Sequence, residues 1–341
     1  MTLSITATTL RYVCQVSDRR LRCVRRDGTS EIYTDHANKA TLLQCKDAIM
    51  AITYYGIGED HINGTRTDIW LVKALQKSNP MENSVKRVLE ELGEQASIWM
   101  KSLRHKSHGP SEFFRHTFVA AGWVDFDVPV VFYVSNFEHL KTKEEALQPW
   151  SEFVGSFSRP KPNAVNPCSI HAGGAYESLE DEDVKLLSTV MQKPGAKPKD
   201  VINIIVRAIH NAADSCSLIG KNCMSTLLLP GEPGVQCDYH SASGTQESYM
   251  PNIVGWIPMW GVEIYTGEGI PPWHIRKIRD RRIREARPVK LTKSQIVKGM
   301  RGVPVGYKTG DVLPANLDPA LASFLEALPS GITEKEILDA L

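Results

Sequence analysis

Hydrophobic and polar positions follow two different periods along the chain, and these periods divide it into alternating blocks. Segments rich in Thr, Val, Ile and Tyr, which is typical of strands, occupy 3–16, 40–45, 48–55, 113–123, 129–137, 167–171, 223–229 and 235–240. Apolar residues recur at helical spacing over 67–76, 81–105, 181–191 and 198–213. An Asp27-Gly28 turn signal predicts a hairpin shortly after the first strand block.

The order of these blocks is strands, two helices, strands, two helices, strands. It predicts an α+β fold, a four-layer αββα sandwich in which each helix pair covers one outer face of two stacked sheets. The polar segment 138–166 is expected to be irregular because Pro149, Pro160 and Pro162 interrupt it.

The character of the chain changes after residue 248. Trp and Pro cluster there, a charged segment follows at 276–287, and short helices are predicted at 319–328 and 334–341. We therefore predict a main domain over 1–248 and a C-terminal extension over 249–341.

Composition narrows the class of protein. Apolar residues make up 42% of the 341 residues and charged residues 23%, as in ordinary globular proteins. A net charge of +1 gives no reason to expect a nucleic-acid or membrane partner, and no apolar run reaches membrane-spanning length. Seven scattered cysteines and an N-terminus without a signal-peptide pattern favour a cytoplasmic location.

The N-terminus carries candidate chemistry. Initiator Met is normally removed before a small residue such as Thr2, which would then carry a free α-amine. A Thr hydroxyl becomes an effective nucleophile when such an amine acts as its base. The ordinary pKa of an α-amine, about 7.7–8.0, suits this task near neutral pH.

The residues that follow Thr2 resemble the proteasome β subunit, of the N-terminal-nucleophile (Ntn) hydrolase superfamily. Asp18 follows Thr2 by 16 residues, the spacing of that family, and Arg20 completes its Asp-x-Arg element. The motif QVSDRRL at 15–21, followed by Asn38-Lys39, also resembles a group of bacterial proteasome-like proteins of unassigned function. The resemblance covers about residues 2–248.

The resemblance implies a set of site residues and roles. Thr2 would be the nucleophile, Lys39 the catalytic lysine oriented by Asp18, and Gly56 the source of the oxyanion N–H. Asp214 and Ser217 match the family's Asp-x-x-Ser element and would hold the amine. The implied reaction is hydrolysis of a peptide or small amide without cofactor or metal, and the implied assembly is a homo-oligomer.

Two departures leave a second hypothesis open. The turn at 172–175 reads Ala-Gly-Gly-Ala, without the Ser that the family usually carries, and we expect no propeptide before Thr2. Both favour a non-catalytic protein that assembles or binds, as proteasome α subunits do.

Other motifs favour simpler interpretations. Cys168/His171 and Cys237/His240 have Cys-x-x-His spacing, but on a strand residues three apart point to opposite faces, which argues against a metal site. No cysteine lies in a recognisable nucleophile motif. The basic run at 276–287 includes Asp280 and Glu285, which favours a solvated helix face or a subunit contact over a nucleic-acid site.

Overall fold

The computed structural model describes residues 2–24, 30–60, 64–106, 110–125, 127–142, 144–160, 167–193, 195–230, 235–248 and 251–255, together with Leu325 and Thr333. The strands are β1 Leu3–Thr9, β2 Val13–Asp18, β3 Leu21–Val24, β4 Ser30–Thr34, β5 Thr41–Cys45, β6 Ala48–Tyr55, β7 Glu59–Asp60, β8 Thr65–Arg66, β9 Thr117–Val124, β10 Val128–Ser135, β11 Glu138–His139, β12 Glu144–Glu145, β13 Val154–Ser158, β14 Cys168–Gly174, β15 Cys223–Leu228, β16 Val235–His240, β17 Gln246–Ser248 and β18 Asn252–Val254. The helices are α1 Thr67–Lys77, α2 Val85–Lys106, α3 Asp181–Gln192 and α4 Pro198–Ser215. The fold is therefore α+β, as predicted.

Two six-stranded sheets organise these elements. The first sheet has the order β14-β1-β2-β15-β16-β17, with every neighbouring pair antiparallel. The second has the order β13-β10-β9-β6-β5-β18, in which β18 runs parallel to β5 and the other pairs are antiparallel.

Each sheet contributes to an apolar cluster with two helices. In the first sheet, Leu3 and Ile5 of β1 belong to an apolar cluster with residues of α3 and α4, among them Ile205. In the second sheet, β5 and β6 contribute to another apolar cluster with α1 and α2. The period-2 alternation of β1 explains this arrangement, because its other face carries the hydroxyl residues at 4, 6 and 8.

Individual side chains of the first sheet contact the second sheet. The Gln15 side-chain amide on β2 donates to the Val119 carbonyl on β9 at 3.1 Å and to the Thr6 hydroxyl at 3.3 Å. The Tyr55 ring, at the end of β6, lies so close to Gly173 on β14 that a Cβ there would be 2.4 Å from it.

Three predicted segments differ from the structure. The strand expected at 113–123 begins at Thr117, after a 3₁₀ turn at Ser111–Phe114. The expected strand over 3–16 is a hairpin, because the Thr9 hydroxyl accepts from the N–H groups of Arg11 and Tyr12 and stabilises a turn that contains no Gly or Pro. The segment 138–166, expected to be irregular, contains β13, an edge strand paired with β10 alone in the described region. Buried and exposed residues do not alternate regularly along β13, so the sequence pattern did not indicate a strand there.

The hairpin predicted around Asp27-Gly28 is supported by its flanks, since β3 and β4 pair antiparallel. The turn itself lies outside the described residues. Among the helices in the described part of the chain, none is long and apolar enough to cross a membrane.

Contacts divide the chain into two units, Met1–Ile257 with Glu263–Glu268, and Pro258–Val262 with Gly269–Leu341. All the strands and helices above lie in the first unit, including β18, which follows residue 248. In the second unit the description covers two residues, Leu325, which is buried and helical, and Thr333, which is half-buried. The basic run at 276–287 and the predicted helix at 334–341 lie outside the described residues, and the extension stays a prediction.

Candidate active site

The predicted N-terminal cluster forms at one end of both sheets. β1 and β2 are antiparallel, so the start of β1, next to Thr2, and the end of β2, at Asp18, lie side by side. In the same way the start of β5, next to Lys39, adjoins the end of β6, next to Gly56. Strand pairing therefore brings residues from distant parts of the sequence to the same end of the two sheets.

Thr2 is held by its backbone on both sides. Its carbonyl accepts from the Ala175 N–H at 3.0 Å, and the following N–H, of Leu3, donates to Asp18 Oδ1 at 2.9 Å. The residue is only 3% exposed. The position of its hydroxyl is consequently set by β1 and its two neighbouring segments.

Lys39 brings a cation to the Thr2 hydroxyl. Its Nζ donates to Thr2 Oγ1 at 2.5 Å, to the Arg20 carbonyl at 2.6 Å and to Asp18 Oδ1 at 3.4 Å. The side chain is fully buried, and a buried ammonium is tolerated only with such partners. Burial lowers the pKa of Lys39, and the Asp18 carboxylate opposes that effect.

Asp18 joins four chain segments. Oδ1 accepts from Leu3 N and Lys39 Nζ, while Oδ2 accepts from Arg20 N at 3.0 Å and Gly220 N at 3.1 Å. The carboxylate is fully buried. Charge-assisted bonds of this kind are among the stronger ones in proteins, so Asp18 fixes the geometry around Thr2 and Lys39.

Arg20, the arginine of the predicted Asp-x-Arg element, secures the loop after α4. Its guanidinium contacts both carboxylate oxygens of Asp35, at 2.6 and 3.0 Å. Nη1 also donates to the carbonyls of Ser217 and Ile219, both at 2.9 Å. The loop that supplies the Gly220 N–H to Asp18 is thereby tied to the end of β2.

The side chains of Asp214 and Ser217 lie elsewhere. Asp214, on the last turn of α4, pairs with Lys221 at 2.5 Å, and its side chain is 66% exposed. Ser217 is exposed, and its carbonyl accepts from Arg20. No contact in the described part of the structure joins either side chain to Thr2. The segment after α4 contacts the cluster through backbone groups, namely the Ser217 carbonyl and the Gly220 N–H.

Gly56 forms a tight turn directly after β6. Its φ is +113°, a conformation that favours glycine, and a Cβ there would lie 2.3 Å from the Arg115 carbonyl. The next N–H, of Ile57, donates to His116 Nδ1 at 3.0 Å. The turn is therefore ordered by backbone conformation and by one buried side chain.

The resemblance did not identify several residues that shape this end of the two sheets. Gly174 has φ +83°, and a Cβ there would lie 1.7 Å from the Thr2 carbonyl oxygen, so only glycine allows this approach. The Tyr55 hydroxyl donates to the Glu138 carboxylate, which also accepts from the Thr117 hydroxyl at 2.7 Å. Of these, only the Gly173-Gly174 pair gave a sequence signal, as a turn.

Cys223 is the cysteine next to the cluster, opposite Asp18 in the pairing of β2 with β15. Its thiol is buried, and burial, with Asp18 nearby, raises its pKa well above the ordinary value. It stays protonated near neutral pH and is therefore not a competing nucleophile.

The chain is similar in structure to Anbu proteins. Anbu (ancestral beta-subunit) from Yersinia bercovieri is 13% identical, with a TM-score of 0.42, and the match covers 72% of this chain and 86% of that one. A Gly-1 mutant of Anbu from Hyphomicrobium sp. strain MC1 is 11% identical, with a TM-score of 0.42 over 73% and 88%. A helical assembly of the Anbu complex from Pseudomonas aeruginosa is 11% identical, with a TM-score of 0.39 over 72% and 85%.

Sequence comparisons give no corresponding match. No model of a known protein family matches the chain, and no curated protein matches it. The structural likeness is distant in sequence and assigns no activity.

Other polar features of the described chain lie away from Thr2. A cavity of about 600 Å³ lies where β5 turns into β6, at the opposite end of these strands, and is lined by residues that include Lys46, Asp47 and Arg87. Asp47 there accepts from the Val85 N–H at the start of α2, which is a structural role. Among the described residues, no group of three or more His, Cys, Asp or Glu side chains is placed to hold a metal ion.

Proposed function

We propose that this protein is an N-terminal threonine hydrolase that cleaves amide or peptide bonds, with Thr2 as its nucleophile. The observation that carries the proposal is the 2.5 Å contact between Lys39 Nζ and Thr2 Oγ1, with Asp18 bound to the same lysine. A fully buried ammonium beside a hydroxyl favours the negative charge that develops on the attacking oxygen.

The proposed reaction begins after removal of Met1. The α-amine of Thr2 takes the proton from Oγ1, which attacks the carbonyl carbon of the substrate. The oxyanion is stabilised by the Gly56 N–H, and the proton then passes to the leaving amine. Water hydrolyses the resulting ester and regenerates the hydroxyl.

Each remaining residue has a proposed role. Asp18 orients Lys39 and fixes the backbone next to Thr2. The role proposed for Asp214 and Ser217, to hold the α-amine, requires Asp214 to leave Lys221 and the loop held by Arg20 to rearrange. The fold we propose for this chemistry is the proteasome-like four-layer sandwich, and we propose that the chain forms homo-oligomers.

Specific observations favour a second candidate function, non-catalytic assembly or binding. Thr2 is only 3% exposed, the side chains of Asp214 and Ser217 make no contact with it in the described residues, and the segment 172–175 contains no hydroxyl side chain. In this case Lys39 and Asp18 would be a buried ion pair that stabilises this end of the two sheets.

One experiment separates the two functions. Intact-mass measurement establishes whether Met1 is removed, since a retained Met1 blocks the α-amine. An epoxyketone or β-lactone probe is then applied to wild type, Thr2→Ser and Thr2→Val. Valine has the shape of threonine without its hydroxyl, which makes it the matched control.

The hydrolase proposal expects one adduct on wild type and on Thr2→Ser and none on Thr2→Val. A protein that has lost Met1 and forms no adduct would instead support the assembly function. Sedimentation velocity on the same samples tests self-association.

A further inference from the structure

His116 is rigidly enclosed beside the Gly56 turn. It lies just before β9, is fully buried, and its ring centroid is 5.9 Å from Tyr54, 5.7 Å from Trp99 and 4.5 Å from Phe118. Its backbone is held in both directions by Asn136, whose Oδ1 accepts from His116 N at 2.8 Å and whose N–H donates to the His116 carbonyl. The ring is therefore closely surrounded and its backbone is fixed.

The two ring nitrogens have different environments. Nδ1 accepts from the Ile57 N–H at 3.0 Å, so the neutral ring carries its proton on Nε2. Nε2 is buried without a hydrogen-bond partner among the described residues. Burial lowers the pKa of His116 to about 3, so this neutral form persists throughout the physiological range.

This arrangement has a cost that an apolar ring would avoid. A buried polar group without a partner is destabilising, and a phenylalanine ring carries no such group. What histidine supplies instead is an acceptor for the Ile57 N–H. The one hydrogen bond described for the ring is thus made with the backbone immediately after Gly56.

The Gly56 turn needs such support. Gly56 has φ +113° and packs against the Arg115 carbonyl and His116, at distances that exclude a Cβ. The bond from Ile57 N–H to His116 Nδ1 fixes the peptide plane that follows Gly56. With β6 fixing the chain before it, the direction of the Gly56 N–H is determined.

We propose that His116 is a positioning residue, which holds the Gly56 turn so that the Gly56 N–H points to the carbonyl oxygen of an amide substrate bound at Thr2. This inference rests on the proposed function. It assigns His116 no contact with the substrate and no part in proton transfer.

Two substitutions separate positioning from packing. His116→Phe keeps an aromatic ring, although a larger one, and removes the acceptor, whereas His116→Asn loses volume and keeps a side-chain oxygen near the position of Nδ1. Each variant is compared with wild type in thermal unfolding, in the inactivation kinetics of the β-lactone probe, and in hydrogen exchange of the Ile57 amide.

The proposal expects reactivity to follow the acceptor. His116→Phe should lower the maximal inactivation rate by about tenfold or more, with the concentration for half-maximal rate unchanged, because a misaligned oxyanion donor weakens the transition state and not the binding. Its Ile57 amide should exchange faster, because that N–H has lost its acceptor. His116→Asn should react more like wild type although it unfolds at a lower temperature. Reactivity that follows thermal stability instead would overturn the proposal.

Failure of the proposed function is distinguishable from failure of this inference. If wild type without Met1 forms no adduct, the hydrolase function is wrong, and the exchange data still decide whether His116 holds the turn. Equal protection of the Ile57 amide in all three proteins would overturn that role.

Discussion

Replacing Asp18 with asparagine removes a charge while preserving the shape of the side chain, and its effect can be worked out from the contacts. Both carboxylate oxygens accept from two donors: Leu3 N and Lys39 Nζ on one side, Arg20 N and Gly220 N on the other. An amide has one oxygen and one NH₂ group, so in either orientation the NH₂ faces two donors.

Two buried donors are therefore left without an acceptor. Each costs about 1–3 kcal/mol, so Asp18→Asn should reduce the free energy of unfolding by about 2–6 kcal/mol. In one orientation the NH₂ group faces the fully buried charge of Lys39, which favours the other orientation, in which the Arg20 and Gly220 N–H groups are left without an acceptor. Lys39 then keeps a neutral acceptor but loses its counter-charge.

Urea unfolding near neutral pH, followed by tryptophan fluorescence, measures this loss. The matched control is Asp35→Asn, which removes the other carboxylate that faces Arg20. That pair is partly exposed, and its loss should cost about 1 kcal/mol or less. Adding Lys39→Met to Asp18→Asn should recover stability, because it removes the buried charge that the first substitution leaves without a counter-charge. A loss below about 1 kcal/mol for Asp18→Asn would refute the reasoning.

The remaining predictions concern a glycine, a lysine and a histidine. Gly174→Ala should lower the unfolding temperature and abolish probe labelling, since its Cβ would overlap the Thr2 carbonyl, whereas Gly155→Ala, with nothing within 4 Å, should be neutral in both assays. Lys39→Met should slow labelling of Thr2 by about 10²–10³-fold, which time-resolved intact mass measures; unchanged labelling would exclude Lys39 from the chemistry. The lowered pKa of His116, about 3, means that below its ordinary value of 6.5 the unfolded chain binds a proton that the folded chain does not. Wild type should accordingly lose stability relative to His116→Phe by about 1.4 kcal/mol per pH unit as the pH falls below 6.5, and parallel pH profiles would contradict this.

The sequence pattern predicted the regular elements well where periodicity is strong. The strand expected at 48–55 is β6 with the same bounds, and the helix expected at 198–213 is α4, which ends two residues later. It failed where a single side chain decides the backbone. The turn between β1 and β2 depends on the Thr9 hydroxyl, which substitutes for the Gly or Pro that a sequence pattern would need.

The site was predicted in part. The resemblance grouped Asp18, by its spacing, and Lys39, by its place before a strand, with Thr2, and the structure brings the three side chains together. The same resemblance indicated Asp214, whose side chain instead pairs with Lys221 in the last turn of α4. A short motif specifies an order along the chain, whereas the direction of a side chain at a helix end depends on its local neighbours.

The sequence by itself determined the α+β composition, the alternation of β1 that separates its apolar face from its hydroxyl face, and the candidate nucleophile. Only the tertiary structure decided which groups meet at the same end of the two sheets. The Lys39 contact with Thr2, the approach of Gly174 to the Thr2 carbonyl, and the His116 bond to Ile57 join residues 37 to 172 positions apart. Such contacts follow from strand register and sheet packing, which are properties of the folded chain as a whole.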